Sequence, residues 1–94
     1  MPRPYKTSKN FDRILDKLQK KDKQLFDNLL NKMDEIINIL DVEHYKNLRY
    51  NLKDYKGVHV GSFVIVFRYD KTSNIIFFAD FDHHDNIYKK QQNF

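Results

Sequence analysis

The stretch V-H-V-G-S-F-V-I-V-F, Val58 to Phe67, decides the fold. Val58-His59-Val60 alternates like a half-buried strand, Gly61-Ser62 interrupts it, and Phe63 to Phe67 is then apolar at every position. A strand that is apolar on both faces belongs in the centre of its sheet, and the helices are expected to cover one side of it. Further on, Ile75-Ile76-Phe77-Phe78 reads as a third strand. The polar segment Asp70-Lys71-Thr72-Ser73-Asn74 between them has the residues of a hairpin turn. Both glycines of the chain, Gly57 and Gly61, fall in this half, and the whole reads as a three-stranded antiparallel meander.

Upstream the period changes from two to 3.6. Phe11, Ile14, Leu15 and Leu18 mark an amphipathic helix over residues 9 to 20, with Ser8 as its N-cap. A second helix begins at the N-cap Asp22, carries Leu25, Phe26, Leu29, Leu30, Met33, Ile36, Ile37 and Leu40 on one stripe, and is expected to end near Asp41. The connector Gln19-Lys20-Lys21 is short enough to force an antiparallel helical hairpin that shares one apolar surface. Residues 3 to 8 supply a short N-terminal strand. The predicted architecture is α+β, a two-layer sandwich of N-terminal strand, α-helical hairpin and meander, with the helices on one face of the sheet and a cleft expected on the other.

A chain of 94 residues is one domain with one modest core, and eight Phe and six Tyr make that core a matter of rings. Residues 89 to 94, K-K-Q-Q-N-F, read as a polar tail. There is no cysteine, which removes disulfides, thiolate chemistry and thiolate-held zinc and makes a reducing cytoplasm the expected compartment. No apolar run approaches the ~18 residues of a spanning helix, and the first residues lack the apolar core of a signal peptide, so no membrane role is expected. The net charge of +4 favours an acidic partner. Its distribution says more: Lys46, Arg49, Lys53 and Lys56, between His44 and His59, face only Asp54, and Tyr45, Tyr50 and Tyr55 are interleaved with them. Such a patch suits a polyanion whose bases stack on rings.

Chemistry is expected at F-A-D-F-D-H-H-D-N-I-Y, Phe78 to Tyr88, where an apolar strand runs into titratable groups. His83 and His84 lie among Asp80, Asp82 and Asp85. Adjacent histidines fit no known zinc spacing, so no metal is assigned. A plainer reading has Asp82 or Asp85 capping the turn and Tyr88 packing on Phe63 or Phe81.

The order of elements, with K-N-L-R-Y-N-L-K-D-Y-K-G-V-H-V-G-S-F-V-I-V-F-R-Y-D at 46 to 70 and D-F-D-H-H-D-N-I-Y at 80 to 88, resembles the RelE/ParE toxin superfamily. It is similar in particular to an archaeal RelE-like branch. The resemblance implies a ribosome-dependent mRNA endoribonuclease that needs no metal or other cofactor, is neutralised by a cognate RelB-like antitoxin, and has the ribosome and mRNA as its other partners. In that chemistry a ribose 2′-hydroxyl attacks the neighbouring phosphate, which calls for a base, positive charge and an acid. By the same resemblance His59 falls at a basic position facing the phosphate, His84 at the late catalytic basic position with His83 beside it, and Tyr88 at a C-terminal tyrosine that orients substrate. Arg49, Lys53 and Lys56 are the implied RNA contacts. Val64 stands where many members carry a phosphate-directed arginine, and Arg68, ~13 Å further along the strand, is too distant to replace it. The alternatives are a ParE-like inhibitor of DNA gyrase, or a catalytically weakened module that binds RNA or antitoxin.

Overall fold

The computed structural model describes residues 2–89. They form β1 (Tyr5–Thr7), α1 (Lys9–Lys21), α2 (Lys23–Asn38), β2 (Lys56–Val60), β3 (Phe63–Asp70) and β4 (Ile75–His83). The sheet order is β1-β4-β3-β2, with β1 parallel to β4 and the other pairs antiparallel. The expected α+β order is therefore present, β3 is central as its composition requires, and the N-terminal strand closes the sheet beside the last one. The proposed tail lies outside the described residues, apart from Lys89.

The helical hairpin is tighter than expected. α1 runs through Lys21, and Asp22 alone joins the helices: its N–H reaches back to the Leu18 carbonyl while its carboxylate accepts the Leu25 N–H at 3.2 Å. One residue thus closes one helix and opens the next. α2 stops at Asn38, short of Asp41, because Arg3 takes over its free carbonyl end. The Arg3 N–H binds the Ile37 carbonyl at 2.8 Å, and its guanidinium reaches the Ile39 and Leu40 carbonyls and lies over the Tyr69 ring. Apolar Ile39 and Leu40 extend the helical period in sequence, but Leu40 is almost fully exposed.

Two cores sandwich β3. On the helix side Phe11, Leu29, Met33 and Ile36 pack on Val58, Val60, Ile65, Phe67, Ile76, Phe78 and Phe81. Rings carry much of it: Phe11 stacks on Phe78 with centroids 5.5 Å apart, and Tyr45 meets Phe67 edge-on at 5.8 Å. The opposite face is not an open cleft as the sequence suggested. Leu52 and Ile87 close over Val64, Val66 and Ala79, with Leu48, Tyr55 and Phe77 at the margin. The cover is the segment between α2 and β2, the basic patch of the sequence, which is irregular with short 3₁₀ turns at Val42–His44 and Tyr50–Leu52.

β4 contains a bulge. Its register with β3 steps from Val66–Asp80 to Phe67–Phe78, which leaves Ala79 extra on β4. The start of α1 satisfies the polar groups that this opens. Ser8 Oγ donates to the Ala79 carbonyl at 2.7 Å while accepting the Phe11 N–H at 3.0 Å, and Asn10 donates to the buried Asp80 carboxylate at 2.9 Å. Ser8→Ala removes an N-cap and the partner of the bulge carbonyl together, and should lower unfolding stability by about 1–2 kcal/mol in urea titration.

Tyr45 donates its hydroxyl to Glu35 at 2.6 Å. That bond, followed by Lys32, holds the Glu35 carboxyl below its ordinary range. A depressed folded-state pKa contributes stability above the ordinary carboxylate pKa and loses it as pH falls through the folded value. The melting temperature of Tyr45→Phe should accordingly lie below that of wild type near neutral pH, with the gap closing once both are melted in acid.

Candidate functional site

β4 reaches further than its apolar core predicts, carrying Asp82 and His83 as paired strand residues opposite Val64 and Phe63. Because of the bulge, Phe81 and His83 share the helix side while Asp82 lies on the other. The His83 ring meets Phe63 edge-on at 5.7 Å and stacks on the His84 ring at 4.6 Å. His84 opens the turn beyond the strand, anchored by its N–H on the Ser62 carbonyl at 2.9 Å. Asp85 organises the pair: its Oδ1 lies 3.0 Å from His84 Nδ1, and its N–H donates to His83 Nδ1 at 3.2 Å. In its neutral form His84 donates from Nδ1 to that carboxylate and leaves Nε2 to accept. His83 Nδ1 faces both the Asp85 N–H and, at 3.5 Å, its Oδ2.

The same three residues are a set of possible metal ligands, with donor atoms within 4.8 Å of one another. Both Nδ1 atoms already bind Asp85, so an ion would compete with those bonds.

His59 is exposed on β2, directly opposite Val64 and on the same face of the sheet. β3 separates β2 from β4, so His59 and His84 are not on neighbouring strands. Among the described residues no hydrogen bond, ion pair or ring contact joins His59 to His83 or His84. They flank the Phe63–Val64 end of β3 from opposite sides. Val64 itself is only 5% exposed, a floor under the 45–55 segment rather than a free position. Arg68 is drawn away, its guanidinium over Tyr55 and Phe77.

Tyr88 packs on neither Phe63 nor Phe81. Buried Ile87, which sequence reasoning passed over, pins the final turn to the second core and carries Tyr88 to the 49–52 segment. There the Tyr88 hydroxyl accepts the Arg49 N–H at 3.0 Å and its ring stands against Tyr50. Arg49 and Lys53 are exposed beside it. Lys56 is not. Its Nζ lies within 2.9 Å of the Tyr45 carbonyl, 2.8 Å of Asn47 Oδ1 and 3.5 Å of Glu43, a structural tie that withdraws it from the expected RNA surface. An apolar partner at that pleat position would leave the loop carbonyl and the Asn47 amide oxygen without donors, which is why a lysine sits inward.

A model of the ParE toxin of type II toxin-antitoxin systems matches residues 5–88. A protein of Methanocaldococcus jannaschii named "Putative toxin RelE4" is 50% identical over 86 residues, covering 90% of this chain and 89% of that protein. The chain belongs to the RelE/ParE toxin superfamily. It is a RelE-like toxin of a toxin-antitoxin system. Two solved structures share its fold: the RelBE2 toxin-antitoxin complex of Mycobacterium tuberculosis, with a TM-score of 0.72 at 16% identity over 89% of this chain and 93% of that one, and YafQ of E. coli, with a TM-score of 0.72 at 18% identity over 92% and 98%. The family makes an antitoxin its protein partner. No helix of the described residues is long and apolar enough to cross a membrane.

In this toxin Lys53 and Lys56, three residues apart in sequence, should behave oppositely on substitution. Chemical denaturation should find Lys56→Ala destabilised by about 2–3 kcal/mol through the acceptors it strands, and Lys53→Ala within about 0.5 kcal/mol of wild type.

Proposed function

We propose that this toxin is a metal-free endoribonuclease that cuts mRNA on the ribosome and that a cognate RelB-like antitoxin silences it. The observation that carries the reading is the His84–Asp85 pair, a free imidazole Nε2 held in one tautomer at the open end of a rigid strand, in a chain of this family. His84 Nε2 takes the proton of a ribose 2′-hydroxyl, and the 2′-oxygen attacks phosphorus. His83, on the helix side, steadies the His84 ring by stacking on it at 4.6 Å, and the charge of the phosphorane falls to Arg49 and Lys53. The bond from phosphorus to the 5′-oxygen breaks, leaving a 2′,3′-cyclic phosphate, and His59 as imidazolium returns a proton to the 5′-oxygen. An in-line displacement wants base and acid on opposite sides of phosphorus, and the placement of His59 and His84 about the end of β3 supports that division. Arg49 and Lys53 supply phosphate charge, and Tyr88 contacts a base.

Val64 favours a second reading, because its burial leaves the reacting phosphate one guanidinium short. Under that reading the chain binds RNA or antitoxin but cuts poorly. The family model, described for ParE, keeps DNA gyrase as a further target, and inhibited supercoiling with intact mRNA would establish it.

Primer extension on mRNA bound to programmed ribosomes tests the assignment. Single-turnover cleavage should fall about 10²–10⁴-fold in His84→Ala and in His59→Ala. Sulfur in place of the bridging 5′-oxygen needs no protonation to leave, so it should rescue His59→Ala and not His84→Ala. Equal cleavage by wild type and His84→Ala would sink the scheme.

A further inference from the structure

Three tyrosines lie in the basic segment, and the structure separates them. Tyr45 is tied to Glu35 and packed on Phe67, and Tyr55 lies against the second core under Arg68. Tyr50 does neither, being 78% exposed. Its backbone is unusual as well. Tyr50 has φ +58°, in the left-handed region, where a bulky L-residue is strained. Among the described residues the other non-glycine residue there is Asn74, an ordinary turn asparagine. Burial does not offset the strain at Tyr50, for its ring contributes nothing to either core.

The strain does give the ring an orientation. Flanking bonds hold the 3₁₀ turn, with the Leu52 N–H on the Arg49 carbonyl at 3.1 Å and the Lys53 N–H on the Tyr50 carbonyl at 3.2 Å, and Leu52 is buried beneath it. The Tyr50 ring then stands at 87° to the Tyr88 ring with centroids 5.8 Å apart. Exposed Arg49 and Lys53 flank this corner. Strained, solvent-facing residues held in place by their surroundings are characteristic of ligand clamps.

We propose that Tyr50 and Tyr88 form a two-ring corner that receives one unpaired base of single-stranded RNA, with Tyr50 the stacking face and Arg49 and Lys53 holding the adjacent phosphates. The proposal rests on the RNA reading above and adds to it a site for the base. A flat base laid on one ring meets the edge of the other, an arrangement that accepts any base by its face and positions it by the wall.

The test pairs protein and RNA changes on programmed ribosomes, with each nucleotide of the exposed codon made abasic in turn. Tyr50→Ala and Tyr50→Gly should each raise the toxin concentration for half-maximal cleavage about tenfold or more, and Tyr50→Phe should stay near wild type. One abasic position should reproduce the loss in wild type and add little in Tyr50→Ala. A merely structural role for Tyr50 predicts no such coupling. Thermal melting supplies the second readout: Tyr50→Gly should melt above Tyr50→Ala, because glycine relieves the left-handed backbone while both remove the ring. Wild-type half-saturation in Tyr50→Ala, or losses that simply add at every abasic position, would overturn the corner alone. A wild-type protein that leaves ribosome-bound mRNA intact would overturn the RNA reading and the corner with it.

Discussion

The rest of the structure depends on the burial of β3 on both faces. Val64, Ile65, Val66 and Phe67 are each at most 5% exposed, so the sheet needs two covers. The helical hairpin is one. It is a regular element that hides a broad stripe with few residues spent on connection. The second cover has to come from what remains, the segment between α2 and β2 and the turn after β4. Neither is long enough to build another layer, so each contributes a single deep anchor, Leu52 from one and Ile87 from the other.

That arrangement places the groups to which a function is proposed. Leu52 and Ile87 are buried together, so the residues beside them meet at the surface: Arg49 and Tyr50 ahead of the first anchor, Tyr88 just past the second. The bond from the Arg49 N–H to the Tyr88 hydroxyl joins the two segments outside the core. Lys56 works from below, holding the loop to β2 through the Tyr45 carbonyl and Asn47. Irregular backbone is thereby tied down from both sides, as the proposed binding surface would require.

Much of this was legible in the sequence because it depends on local pattern. The apolar run at 63–67 marks the central strand, the 3.6-residue period marks both helices, and Ser8 and Asp22 announce their caps. The family likeness at 46–70 and 80–88 marked the superfamily to which the chain belongs. What escaped was set by partners distant in the chain. Nothing near Lys56 says that it turns inward, since the oxygens it serves belong to residues eleven and nine positions earlier, Tyr45 and Asn47. Arg3 ends α2 from the far side of the sequence, so the period alone overran the helix. The division of the histidines between two sides of a strand end follows from strand order and from the bulge, neither of which a linear pattern encodes. Ile87, a lone apolar residue among polar ones, was the one available signal for the second core.

The bulge at Ala79 and Asp80 has an effect on how this surface can change over time. In a regular strand, alternation would send Asp82 toward the helices and His83 to the opposite face; the one extra residue reverses both. The identity of the group offered on each side of the sheet is therefore a matter of counting, not of composition. A relative that shed or gained one residue here could exchange an imidazole for a carboxylate on a given face with every side chain retained. Ser8 and Asn10, far away in sequence, act as a proofreading device for that count, because their bonds are satisfied at only one strand length. Parity in a single strand, guarded by the first turn of a helix, fixes which face of this small domain each of these groups occupies.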